Sequence, residues 1–179
     1  IFTADGDLPR ASEGQSVTIV LADEVDASRG AVIATADAPL TVTDTLNVRL
    51  FWALETELTP GASLWAKIGT VTTNAVVKSI RSRIDPETGK AAPADKLGVN
   101  DIGEVRLHLD REVAVDPYAD NRHTGSLILI DRETTDTAAL GPVQASIAAE
   151  PKGEEAARKG PPPPAGRLLS WSRCVFGRI

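Results

Sequence analysis

The stretch Asp116 to Asp131, DPYADNRHTGSLILID, limits most tightly what this chain can fold into. Its first half carries Tyr118 as its large apolar residue, set among the turn-formers Asp116-Pro117, Asn121 and Gly125. Such residues supply the backbone angles and local hydrogen bonds that turns need, so an ordered surface loop is expected. From Ser126 the chain becomes Leu127-Ile128-Leu129-Ile130, closed by Asp131. A run this short, with branched side chains, reads as a β-strand buried on both faces. A polar loop feeding a central strand either presents side chains from a rigid base or merely links two strands. The residues alone leave both readings open.

The rest of the chain repeats the short-strand pattern. Leu46, Val48, Leu50 and Trp52 alternate on one face, as do Leu64, Ala66 and Ile68 after the Pro60-Gly61 turn. Val105, Leu107 and Leu109 point inward from a third strand, with Arg106 and His108 outward. Ser16 to Leu21 alternates in the same way, and Gly30 is expected at positive φ in the turn that follows. Ser82 to Lys96, polar with two prolines, reads as a long exposed loop. An apolar stretch around Val143 and Ile147 completes the series. Short strands, close turns and no sustained 3.6-residue period predict an all-β barrel with little helix.

Charge is unevenly placed. Residues 151–179 hold six Lys/Arg against two Asp/Glu, a net of +4, which leaves −10 for residues 1–150 out of the chain's −6. So acidic a body repels phosphate backbones and argues against nucleic acid as its main partner. No apolar run approaches the ~18 residues that cross a bilayer, so no membrane partner is expected. Nor is there a secretory n-region with an h-region behind it. Cys174 alone makes no internal disulfide and no metal set, and a cytoplasmic protein is the expectation. The chain opens Ile1-Phe2 and has no methionine, which predicts a portion of a longer polypeptide.

Three motifs carry a family resemblance over residues 1–143. The first is D-x-Y-x-x-N-x-x-T-G-x-x-I-x-I-D-R, here Asp116, Tyr118, Asn121, Thr124, Gly125, Ile128, Ile130, Asp131 and Arg132. The second is Asn100-Asp101-Ile102-Gly103 before an alternating strand, and the third is SVTIVLADEVDASRGAVIA, Ser16 to Ala34. In this order they resemble the large, GTPase-bearing subunit of bacterial sulfate adenylyltransferase, which is similar to translation elongation factors. The resemblance implies an elongation-factor-type closed β-barrel preceded by part of a second barrel. Residues 1–36 would be the end of the middle barrel, 37–45 a linker, 46–147 the last barrel and 148–179 a Pro-rich flexible tail. It also implies GTP and magnesium bound in a G domain outside this chain. The partners it implies are that G domain, the small catalytic subunit and, in some members, an adenylyl-sulfate kinase domain.

Chemistry within the chain is sparse. No G-x-x-x-x-G-K-[ST] loop occurs, since Gly89-Lys90 is followed by Ala91 and lacks the spaced first glycine. There is no N-K-x-D, and Asp95-Lys96-Leu97-Gly98 matches D-x-x-G by chance. His108 and His123 lack further ligands, and Asp116, Asp120 and Asp131 lack the spacing of a calcium loop. No catalytic residue, cofactor ligand or metal ligand is assigned. What remains is a candidate interface on the loop: Asp116, Tyr118, Asn121, Arg122 and Thr124, with Arg122 offered to a partner carboxylate and Tyr118 as an anchor. The rival reading, a translation-factor-like barrel that binds RNA or a ribosomal component, is weighed down by the acidic body.

Overall fold

A computed structural model describes residues 1, 6, 9–147 and 174–176. Its strands are β1 (Ile33–Thr35), β2 (Thr41–Trp52), β3 (Ser63–Ile68), β4 (Val71–Ile84), β5 (Ala91–Pro93), β6 (Ile102–Val115), β7 (Ser126–Ile130), β8 (Thr137–Ile147) and β9 (Cys174–Phe176). No helix occurs among the described residues.

Six strands run in the order β3-β7-β8-β2-β6-β4, and β4 pairs back onto β3, which closes the barrel. Every pairing in the ring is antiparallel. Closure leaves no free sheet edge, so each of the six strands is paired on both sides within the ring. β5 adds to the end of β4, and β1 pairs with β9 in a separate two-stranded ribbon. The period-two residues fill the interior as expected. Leu46, Val48, Leu50 and Trp52 pack there with Leu64, Ala66 and Ile68 and with Val105, Leu107 and Leu109.

Two close approaches fix the strand geometry. Gly141 of β8 lies against the Arg49 carbonyl oxygen, where any Cβ would collide with backbone. The adjoining register shift between Asn47 and Val48 lets β2 bend around this contact. Gly103 of β6 sits under both methyls of Leu97 and beside the Ser82 carbonyl, at 2.6–2.9 Å from where a Cβ would stand.

Three local expectations change. β7 is buried on one face only: Leu127 and Leu129 point into the core, whereas Ile128 and Ile130 face outward, half-buried. In a closed barrel only the inner face of a strand has a core to enter, so the continuous apolar run does not signal two-sided burial. The 82–96 stretch is not a simple loop. β4 continues to Ile84 with Ser82 buried, a tight turn follows, and the chain returns as β5. Asp85 makes that turn by accepting from the Glu87 amide at 2.9 Å, and Gly89 closes it at φ 68°. Ser16 to Leu21 does not form a strand; Val17, Ile19 and Val20 are exposed. Thr18 makes a single β-bridge there, but a lone bridge does not extend alternation into a strand. Gly30 does have positive φ, 102°, in the turn before β1. The expected flexible tail, 148–179, lies outside the described residues except for β9.

Candidate functional site

The loop between β6 and β7 is tied together by its own motif residues. Asp116 Oδ2 accepts hydrogen bonds from Thr124 Oγ1 at 2.8 Å and from Asn121 Nδ2 at 3.3 Å. Asn121 Oδ1 in turn accepts from the His123 amide at 3.0 Å. Asp120 and Asn121 amides both donate to the Pro117 carbonyl, and the Gly125 amide donates to the Asn121 carbonyl. The loop is thus two successive turns whose side chains replace missing ladder hydrogen bonds.

The loop is also sewn to β8. The Tyr118 amide donates to the Val143 carbonyl at 2.9 Å, and the Val143 amide donates to the Gly125 carbonyl at 2.7 Å. Gly125 is required by this closeness: a Cβ there would stand 2.5 Å from Tyr118 Cα and 2.7 Å from the Asn121 carbonyl oxygen. The D…N…T-G pattern therefore builds the loop, and Asp116, Asn121 and Thr124 are half-buried in doing so.

Two of the predicted residues face outward. Tyr118 is 37% exposed, and the Arg122 guanidinium stands 5.9 Å from its ring centroid. Stacking over the electron-rich face holds the guanidinium near one position without using its N–H donors. Arg122 and nearby Lys67 have no ion-pair partner among the described residues. The loop has two flanks. On one, Asp116, Asp120, Asn121 and Thr124 share a cleft with the segment between Val32 and Leu40. On the other, Tyr118 and His123 border an open groove with Lys67, Ile128, Leu140 and Pro142.

The end of the motif also turns out structural. Asp131 Oδ1 accepts from the amides of Glu133 and Thr134 in the β7–β8 turn, and these bonds hold its carboxyl below the ordinary aspartate range. Arg132 lies 4.9 Å from the Trp65 ring centroid and donates to Ser63 Oγ at 3.0 Å. The second motif caps the barrel end: Asn100, at φ 65°, donates its amide to the Trp52 carbonyl, and Asp101 Oδ2 accepts from the Gly98 amide. Within Asp95 to Gly98, Leu97 is wholly buried and bridges to Leu58, while Asp95 and Lys96 are exposed, so the tetrad anchors this stretch to the core through Leu97 alone. His108 lies on the outer face, its Nδ1 3.9 Å from Asp44. No cluster of three His, Cys, Asp or Glu side chains that would hold a metal occurs among the described residues.

Sequence reasoning missed the groove and the Trp65–Arg132 stack, because both depend on cross-strand register. The one available signal was Phe51, an apolar residue at an outward position between Leu50 and Trp52.

Sulfate adenylyltransferase subunit 1 of Methylorubrum populi is 72% identical over 188 residues, which covers 99% of this chain and 39% of the relative. The same-named subunit of Methylorubrum extorquens is 68% identical, again over 99% of this chain and 39% of its own length. This chain thus spans about two-fifths of these relatives. Among solved structures, sup35 complexed with GDP matches with a TM-score of 0.57 at 18% identity, over 63% of this chain and 28% of that one. That likeness shows a shared barrel fold. The model of the GTP-eEF1A C-terminal domain-like family matches residues 45–144, the ring of strands from β2 to β8, and the chain belongs to that family.

Proposed function

We propose that this chain is the non-catalytic β-barrel part of the GTP-regulated large subunit of sulfate adenylyltransferase. In that reading the complex makes adenylyl sulfate and pyrophosphate from ATP and sulfate, in the cytoplasm. GTP and magnesium act in a G domain outside these residues. The barrel packs on that G domain and on the small catalytic subunit, carrying the nucleotide state between them as a change at packed interfaces. The observation that carries the reading is the 72% identity to a subunit of that name along 99% of this chain. Similarity to the bifunctional enzyme CysN/CysC of Xylella fastidiosa, 40% over 147 residues, supports an adenylyl-sulfate kinase domain in some relatives.

The domain division that goes with this is 1–36 as the end of the middle barrel, 37–45 as linker, 46–147 as the last barrel and 148–179 as tail. Docking is assigned to the loop, with Tyr118 as anchor and Arg122 as the group that meets a partner carboxylate. Asp116, Asn121 and Thr124 serve the interface by holding that pair in place. The test is to co-express the full-length large subunit with the small subunit and follow pyrophosphate release from ATP and sulfate. GTP-stimulated release supports the reading. A large subunit that forms no complex and binds RNA at moderate salt contradicts it.

A further inference from the structure

On the outside of the barrel, the β2–β6 pairing presents its side chains in rows. Thr45 faces His108, Asn47 faces Arg106 and Arg49 faces Glu104. Each of these rows is polar or charged, as expected of a sheet face turned to water. The next row breaks the pattern: Phe51 faces Ile102. It runs on across the neighbouring strands, because Phe51 also faces Leu140 on β8 and Leu140 faces Ile128 on β7. Four apolar side chains on four adjacent strands thus make a continuous outer belt, with Leu140 51% exposed at its middle. The belt ends at Lys67 on β3, which faces Ile128.

This belt opens into the groove beside the loop, where Tyr118 and Pro142 extend its apolar surface. Cations border it, Lys67 at the belt's end and Arg122 stacked on Tyr118, on a part of the chain whose net charge is −10 over residues 1–150. An apolar strip whose rim cations have no ion-pair partner among the described residues suits a segment with apolar side chains flanked by carboxylates. The opposite flank of the loop is lined by this chain's own Val32 to Leu40 stretch, and Gly30 and Val32 reach only the Gly69–His123 end of the groove, which leaves the Leu140–Ile128 part uncovered by the described residues. The chain's own end is a poor fit, since residues 151–179 carry a net charge of +4.

We infer that the Phe51–Leu140–Ile128 belt and its Lys67 and Arg122 rim are the docking groove for an acidic-flanked apolar segment of the small catalytic subunit. The inference rests on the function proposed above and extends the contact from the loop onto the barrel wall. Leu140→Asp and Lys67→Glu are made in the full-length large subunit and titrated against the purified small subunit at low and moderate salt. Both side chains are outward, so melting temperatures should match the parent protein. Leu140→Asp should weaken binding at least tenfold, and Lys67→Glu should both weaken binding and flatten its salt dependence. If both variants bind within twofold of the parent while Arg122→Ala is impaired, the belt is not the groove and the loop reading stands alone. If all three bind like the parent, the proposed docking face itself is wrong. Leu140→Ser guards against misfolding: a folded Leu140→Ser protein with unchanged affinity also overturns the inference.

Discussion

Thr124 donates its hydroxyl to the Asp116 carboxylate at 2.8 Å, joining the two ends of the loop across eight positions. That bond makes the motif self-supporting, since the carboxylate also receives Asn121 Nδ2. Removing it should therefore damage the loop before it damages any partner contact. Asp116→Ala removes the one carboxylate oxygen that accepts from two half-buried donors, Thr124 Oγ1 and Asn121 Nδ2, at a cost of about 1–3 kcal/mol in barrel stability. Urea unfolding of the parent and variant measures it, and an unchanged midpoint would show that the loop does not depend on this carboxylate.

Glycine substitutions should separate close approach from conformational freedom. A Cβ at Gly141 would strike the Arg49 carbonyl oxygen, which is backbone and has little room to retreat. Gly141→Ala should lose about 3 kcal/mol or more, because relief requires β2 and β8 to move apart. Gly61→Ala, at φ 91° but with nothing within 4 Å of its Cβ position, tests strain alone and should cost less. Thermal melting of the pair ranks the two effects.

Neighbours on β7 should differ sharply. Leu129 is fully buried, so Leu129→Ala should cost about 2–5 kcal/mol from lost burial and a cavity. Ile128 is half-buried on the outer face, and Ile128→Ala should cost about 1 kcal/mol or less. Equal losses at the two positions would mean that the outer face of β7 is covered in the isolated chain.

Acid should loosen the β7–β8 turn. The Thr134 and Glu133 amides lower the Asp131 pKa, as the Glu87 amide does for Asp85. A carboxyl whose folded pKa is depressed contributes stability above its unfolded value, near 3.9, and loses it as pH falls through the lower folded value. Asp131→Asn should therefore lower stability at pH 6 and flatten the loss between pH 4 and 2. Melting curves across that range decide it, and parallel curves for parent and variant would contradict the assignment.

The barrel was readable in the sequence because its inner face obeys a period of two: Leu46 to Trp52 and Val105 to Leu109 lie where alternation places them. β7 misled because an apolar run gives no alternation from which to read sidedness. Its true pattern depends on the strands beside it. Ser16 to Leu21 misled for the opposite reason, since local alternation there is paired only by an isolated bridge at Thr18 and not by a ladder. The loop motif was visible as a spacing, but the division of labour within it was not. That Asp116, Asn121 and Thr124 turn inward while Tyr118 and Arg122 turn outward follows from hydrogen bonds spanning up to eight residues. The outer belt lay further out of reach, because Phe51, Leu140 and Ile128 are brought together only by register.

The central claim is that the motif's inward residues build the loop so that its outward pair can dock. Calorimetric titration of the small subunit into the full-length large subunit, parent against Arg122→Ala, tests it most directly when melting is recorded on the same samples. The account predicts that Arg122→Ala loses about 2 kcal/mol or more of binding free energy, since a partner carboxylate is left unpaired, with an unchanged melting temperature. A variant that melts several degrees lower while binding as tightly as the parent would contradict it.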